Sequence, residues 1–204
     1  MEYLGDPFGQ GGNSFVFDMS LDGQTIVGDA PIASNLSVAY LWRNGSFTRL
    51  DGPSNFSYQS FALNVSADGS IVVGYGRNSL GWASACRWRP NTGVENLNQV
   101  YRDLLGGSFL TIARAISPNG RYIGGFGYNA ETYRYEPFVL DTQRCVAHNG
   151  DVDENGCVDD ADLLAVLFAF GSTGSESGRA DVNCDEVVDD ADLLQVLFNF
   201  GSGC

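Results

Sequence analysis

Hydrophobic residues follow two rhythms along this chain. Up to about residue 144 they come in short bursts, as in "TIVG" from Thr25, "IVVG" from Ile71 and "YIGG" from Tyr122, each just after an Asp-Gly or Asn-Gly pair. Short runs of β-branched and aromatic residues bounded by turn formers predict strands, and the Asp-Gly and Asn-Gly pairs supply the positive φ that a two-residue hairpin turn needs. Beyond residue 150 the rhythm lengthens. "DLLAVLFAFG" from Asp162 and "DLLQVLFNFG" from Asp192 predict two helices, each ended by a glycine suited to a C-cap.

The short bursts belong to a repeat. "DMSLDGQTIVGDA" from Asp18, "NVSADGSIVVGYG" from Asn64 and "AISPNGRYIGGFG" from Ala115 align, with turn glycines Gly23, Gly69 and Gly120 spaced 46 and then 51 residues apart. An aromatic follows each turn by eighteen or nineteen residues: Trp42, Trp88 and Phe138. After it, "SFTRL" and "GVENLN" supply a further strand in the first two copies. Four short strands per period of this length is the content of one propeller blade. The predicted fold is therefore mainly β over residues 1–144, about three four-stranded blades, followed by a small α module over 145–204. Three blades are fewer than an ordinary closed propeller holds, and the third copy lacks its fourth strand. We therefore expect a truncated set, with "EYLG" at residues 2 to 5 as an orphan outer strand. The pattern resembles the HAF family of extracellular repeats over about residues 14 to 142, which implies an exported, propeller-like region with no agreed activity.

Charge separates the two parts further. Residues 1–144 carry twelve acidic residues against ten Arg, while residues 145–204 carry thirteen against the single Arg179. Lys is absent and no basic patch exists, so the electrostatic footprint of a nucleic-acid binder is missing. The single His, His148, lies in the acidic tail, and neither a GxSxG elbow nor a phosphate-binding loop occurs, so we expect no enzyme. Asp18, Asp22, Asp68, Asp103 and Glu136 are acids without an assembled site, two of them already explained by the turns they occupy. The aromatics of the repeats are expected in blade cores.

Within the tail, six carboxylates lie between Asp151 and Asp162, and the pattern returns thirty residues later. Both copies fit a twelve-residue calcium loop, which takes oxygens from positions 1, 3, 5, 9 and 12, a carbonyl at 7, and a tight turn at 6. The first copy offers Asp151, Asp153, Asn155, the carbonyl of Cys157, Asp159 and Asp162, with Gly156 at the turn. The second offers Asp181, Asn183, Asp185, the carbonyl of Val187, Asp189 and Asp192, with Glu186 at the turn. Oxygen-only ligands select a hard cation, and their flexible number favours Ca²⁺ over Mg²⁺. Glu186, where glycine is expected, predicts a weaker second site. No helix is predicted before either loop.

Loop then helix, doubled, with Asp at position 12, closely resembles the type I dockerin module over residues 150 to 200. The resemblance implies Ca²⁺ at both loops and docking to a cohesin-like or other envelope protein through positions 10 and 11, here Asp160, Ala161, Asp190 and Ala191, with the helix faces. Those four residues, and Ala165 and Ala169 where the family carries basic side chains, set the expected partner apart from the cohesin of known cellulosomes. Leu163, Leu164, Val166, Leu167, Phe168 and Phe170 make the first helix apolar nearly all round, more than two short helices need for packing together.

Four of five cysteines, Cys145, Cys157, Cys184 and Cys204, fall in this tail and predict two disulfides and an oxidising compartment. Of three connectivities we favour Cys145 with Cys204, clasping the tail's ends, and Cys157 with Cys184. Cys86 is expected as a buried small hydrophobe. No stretch is apolar enough for a transmembrane helix, and the start of the chain shows no signal peptide. We thus expect a mature or truncated piece of an extracellular or cell-surface protein, whose non-catalytic role is docking or anchoring. The alternative is a fragment of a glycan-binding or carbohydrate-active propeller, with the tail as its attachment tag.

Overall fold

A computed structural model describes residues 1–204 except 2, 91, 146 and 174–176. The chain divides into two units, Met1–Thr142 and Gln143–Cys204, two residues earlier than the change of rhythm implied.

The first unit is three antiparallel sheets in sequence. Strands β1 (Phe15–Met19), β2 (Thr25–Ala33), β3 (Leu36–Arg43) and β4 (Ser46–Leu50) form the first, each paired with its neighbour in the chain. Strands β5 (Gln59–Val65), β6 (Val72–Arg77), β7 (Ala83–Arg89) and β8 (Gly93–Asn96) form the second, followed by the one-turn helices α1 (Leu97–Val100) and α2 (Arg102–Leu105). The third has only β9 (Phe109–Ile116), β10 (Tyr122–Asn129) and β11 (Arg134–Asp141). A four-stranded meander per repeat is the blade unit of a propeller. The expected orphan strand is not formed: Tyr3, Leu4 and Gly5 carry no strand, and Glu2 lies outside the described residues.

Two details of the repeat differ from expectation. The Asp-Gly pairs do not close two-residue hairpins; five residues separate β1 from β2, and Gly23 N–H donates to the Ser20 carbonyl at 2.9 Å, with Gly23 at φ +70°. The Ser20 and Asp22 side chains bond each other at 2.6 Å and fix the bend, an arrangement repeated by Ser66 with Asp68 and by Ser117 with Asn119. Nor does Phe138 occupy the tryptophan position. Trp42 faces Ile26 and Trp88 faces Val72, but in the third sheet Leu140 takes that place and Phe138 lies opposite Gly125. A Cβ on Gly125 would come within 2.6 Å of the Phe138 ring, so the missing side chain makes room for it.

The sheets pack through two apolar layers. Val27 and Ala39 of the first sheet meet Ala62, Val65, Val72, Cys86 and Trp88 of the second. Val73 and Ala85 of the second meet Leu110, Ala113, Ile116 and Ile123 of the third, beneath Leu97 and Tyr101. Cys86 is fully buried, and burial pushes its thiol pKa well up. A polar latch crosses each junction. Asp18 Oδ2 accepts from Val65 N–H at 2.9 Å and from Asn64 Nδ2 at 2.6 Å, while Asn64 Oδ1 accepts from Ile116 N–H at 2.8 Å. Backbone bonds run alongside, from Leu21 N–H to the Ala67 carbonyl and from Ala67 N–H to the Pro118 carbonyl. Asp18, an acid without an assignment in the sequence, is thus a structural acceptor.

The second unit holds helices α3 (Asp160–Ala169) and α4 (Asp190–Phe198) over a core of Val158, Val166, Ala180, Val182, Val188 and Val196. Gly171 and Gly201, both at φ +81°, follow the helices as expected. The halves interlock by exchange. After α3 the chain pairs with the second loop, Gly171 N–H to the Val188 carbonyl and Val188 N–H to the Ser172 carbonyl. After α4 it pairs with the first, Gly201 N–H to the Val158 carbonyl and Val158 N–H to the Ser202 carbonyl.

This exchange corrects the disulfide pairing. Cys145 bonds Cys184 and Cys157 bonds Cys204, not Cys145 with Cys204 and Cys157 with Cys184. The end of the chain runs past the first loop, which leaves the Cα atoms of Cys157 and Cys204 4.6 Å apart. Its start runs past the second, where His148 N–H donates to the Val182 carbonyl, which leaves those of Cys145 and Cys184 5.6 Å apart. Two disulfides place the protein in a non-cytoplasmic compartment. Among the described residues no helix is long and apolar enough to cross a membrane.

Candidate metal centre

Both loops are built by the same hydrogen bonds. At position 12, Asp162 Oδ1 accepts from the N–H groups of Val152 (2.6 Å) and Asp153 (3.1 Å), and its Oδ2 accepts from Asp159 N–H (2.9 Å). Asp192 repeats this with Val182 (2.7 Å), Asn183 (3.1 Å) and Asp189 (2.9 Å). At position 9, Asp159 and Asp189 each accept from the backbone two residues on, Ala161 and Ala191, at 2.8 Å. Positions 9 and 12 therefore form a capping box on each helix, which fixes the helix start to the loop.

Position 1 closes the ring. Asp151 Oδ2 accepts from Gly156 N–H at 3.1 Å, and Asp181 Oδ2 from Glu186 N–H at 3.0 Å. Carboxylate oxygens of Asp151, Asp153 and Asp162 come within 4.8 Å of one another, with Asp162 fully buried. Asp151 Oδ1 is itself buried and has no hydrogen-bond partner among the described residues. A buried anionic oxygen left unpaired among like charges is costly, and a cation removes both costs. The oxygens of Asp151, Asp153 and Asp162 thus fit a hard divalent ion, which Asn155, Asp159 and the Cys157 carbonyl could help to hold.

Two carboxyls, at position 12 of the first loop and position 1 of the second, are shifted in opposite directions. Burial pushes the Asp162 carboxyl up, but the N–H groups of Asp159, Asp153 and Val152 outweigh it and hold the pKa below the usual value. Asp181 moves the other way, raised by burial and by the Asp192 charge despite its bonds from Glu186 and Asp185. Backbone strain differs too: Gly156 and Glu186 both adopt left-handed φ, +92° and +76°, at no cost to the glycine. Glu154 and Cys184, at position 4 of their loops, share that region at +62° and +65°.

Arg179 was not singled out by the sequence. From the 3-10 turn Gly178–Ala180 just before the second loop it reaches the first, with Nη2 on the Asp151 carbonyl (2.8 Å), Nε on the Val152 carbonyl (3.1 Å) and Nη1 beside Glu154 (3.1 Å). Being the only Arg or Lys after residue 144 was its one signal. Asp160, Ala161, Asp190 and Ala191 are all exposed, each pair at the head of an exposed stripe. Leu164, Leu167 and Phe168 continue the stripe on α3, and Leu194, Leu197 and Phe198 on α4, while Val166 and Val196 face the core. Of the other acids singled out in the first unit, Asp22 and Asp68 sit in turns, Glu136 accepts from Asn129 and Thr132, and Asp103 lies 3.9 Å from Arg102.

No family model and no curated protein matches the chain. Among solved structures it is similar to a putative TolB from Agrobacterium tumefaciens (16% identity, TM-score 0.46, covering 65% of this chain and 47% of that one). It is also similar to TolB from Acinetobacter baumannii (19%, 0.44, 64% and 30%). A third is a fucose lectin from Kordia zhangzhouensis in complex with methyl-fucoside (14%, 0.33, 63% and 90%). The chain thus spans about half the length of the first of these and under a third of the second.

Proposed function

We propose that this is an exported, non-catalytic modular protein whose second unit binds two Ca²⁺ and docks the blade-bearing unit to an envelope or cell-surface protein. The observation that carries the metal reading is Asp151 Oδ1, buried and unpartnered beside the carboxylates of Asp153 and Asp162. Bound ions would hold positions 1, 3 and 5 against the capping boxes, so that metal and the α3 and α4 stripes are ordered together. The docking partner is a protein with an apolar surface edged by basic groups, complementary to Leu164, Leu167 and Phe168 below Asp160, or to the matching face of α4.

Titration calorimetry of the 204-residue chain with Ca²⁺ tests the first step. We expect two binding events, one removed by Asp151→Ala and the other by Asp181→Ala, and a rise in the tail's thermal stability that EGTA reverses. An absence of heat and of stabilisation up to millimolar Ca²⁺ would sink it.

A glycan-binding role for the blades is the second reading. It is favoured by Trp82, an indole 65% exposed beside Leu80, which offers an apolar ring for a sugar to stack on. A polysaccharide array probed with the protein and with Trp82→Ala separates the two readings.

A further inference from the structure

We infer that the chain carries a site of spontaneous covalent modification at Asn44–Gly45, where the side-chain amide is lost as ammonia and a carboxylate takes its place. This does not depend on the tail, on metal or on a glycan.

The chemistry is that of an asparagine followed by glycine. The glycine amide nitrogen attacks the asparagine Cγ, a C–N bond forms, and the side-chain nitrogen leaves as ammonia, taking the proton that the attacking amide gives up. Water then opens the resulting succinimide ring at either carbonyl, which yields aspartate or isoaspartate. Each conversion consumes one water and releases one ammonia, with no oxidant or reductant. The fold can permit or block it in three ways: by leaving the glycine N–H without an acceptor, by leaving room around the glycine for the ring, and by leaving the asparagine side chain free to turn.

Asparagine precedes glycine four times, at Asn44, Asn119, Asn149 and Asn155. Only Asn44 meets all three conditions. With Gly45 it makes the two-residue turn between β3 and β4, at φ +51° and +78°, while Arg43 pairs with Ser46. Both turn residues are exposed, and neither the Asn44 side chain nor the Gly45 N–H has a hydrogen-bond partner among the described residues. A Cβ built on Gly45 would meet nothing within 4 Å, so the ring has room.

The other three pairs are each restrained. Gly120 N–H donates to the Ser117 carbonyl at 2.9 Å, Asn119 Oδ1 accepts from the Ser117 hydroxyl at 2.7 Å, and a Cβ on Gly120 would come within 2.7 Å of Ile71. Gly150 N–H donates to His148 Nδ1 at 3.2 Å, and a Cβ there would come within 2.9 Å of Val196 Cα. Asn155 and Gly156 are as exposed and as open as the turn at Asn44. Their restraint is hydrogen bonding alone: Gly156 N–H is held by the Asp151 carboxylate at 3.1 Å, and Asn155 Oδ1 accepts from Cys157 N–H at 2.8 Å. The carboxylate at position 1 of the first loop thus shields the amide at position 5. At Asn44 nothing does so. Conversion there sets a new negative charge beside Arg43, and isoaspartate lengthens the turn by one backbone atom, just ahead of the pairing of Trp42 with Phe47.

Peptide mapping by mass spectrometry of the 204-residue chain, aged in mildly alkaline buffer with EGTA, tests the inference. A gain of one mass unit should appear first at residue 44, with isoaspartate among the products. Asn155, whose glycine N–H must first leave a carboxylate, should convert about tenfold more slowly, and Asn119 and Asn149 more slowly still. In guanidinium chloride the four sites should convert at similar rates, because only the fold separates them. Asp151→Ala should speed Asn155 about tenfold and leave Asn44 and Asn119 unmoved. An unconverted Asn44 in the aged native chain, equal native rates at Asn44 and Asn155, the same ranking in denaturant, or an Asp151→Ala chain in which Asn155 stays slow would each overturn it.

Discussion

The latch at Asp18 offers a sharp test of how the sheets hold together. Replacing Asp18 by Ala removes the acceptor for Val65 N–H and Asn64 Nδ2. Val65 is 6% exposed, so its N–H is left without a ready substitute from water. Losing a charge-assisted bond and stranding a buried donor costs about 2–3 kcal/mol. The charge itself is not required, because the next junction is closed by Asn64 accepting from Ile116 N–H in the equivalent place. Asp18→Asn should therefore cost less than about 1 kcal/mol, the carboxamide oxygen replacing the carboxylate. Urea unfolding followed by tryptophan fluorescence reads this unit alone, since Trp42, Trp82 and Trp88 all lie in it. With an m-value of about 2 kcal/mol/M for a unit of this size, the Ala variant should lower the midpoint by about 1 M and the Asn variant by under half that. Equal losses for both variants, or none for either, would refute the latch.

Three other expectations follow from the same geometry. Relieving the left-handed strain at position 6 by Glu186→Gly should tighten the second loop's Ca²⁺ affinity about fivefold, the equivalent of about 1 kcal/mol, with the first loop unmoved in the same titration. Arg179→Gln, which loses the clamp on the Asp151 and Val152 carbonyls, should instead weaken the first loop by about tenfold and leave intact protein by near-ultraviolet circular dichroism. Glu95 is pushed up by burial but held below its usual pKa by Arg89 and Arg87. Its contribution is then fully present above the unfolded value near 4.5 and is lost as the pH falls through the folded one. Denaturant midpoints of the first unit should thus fall below about pH 4.5, and Glu95→Gln should flatten that decline.

Much of the architecture is written locally. Strands follow from β-branched bursts between turn formers, and α3 and α4 from their apolar runs between capping carboxylates and glycine, because these depend on neighbours within a few residues. A candidate ligand set could be proposed for both loops for the same reason: its spacing is contained in twelve residues. Even the strained Glu186 could be read, since its partner copy has glycine.

What the sequence did not determine depends on contacts between distant segments. Turn length at Ser20–Gly23 was set by side-chain bonds between Ser20 and Asp22, and the place of Phe138 by its register against Gly125. The disulfides pair across the two halves because each chain end runs beside the opposite loop, an exchange with no trace in cysteine spacing. Asp18 and Arg179 took their roles from partners 47 and 27 residues away. The exposed faces of the first and third sheets are likewise invisible in composition. Val16 and Ala113 are both small apolar residues in strands, and only the presence or absence of a preceding sheet decides which of them meets water.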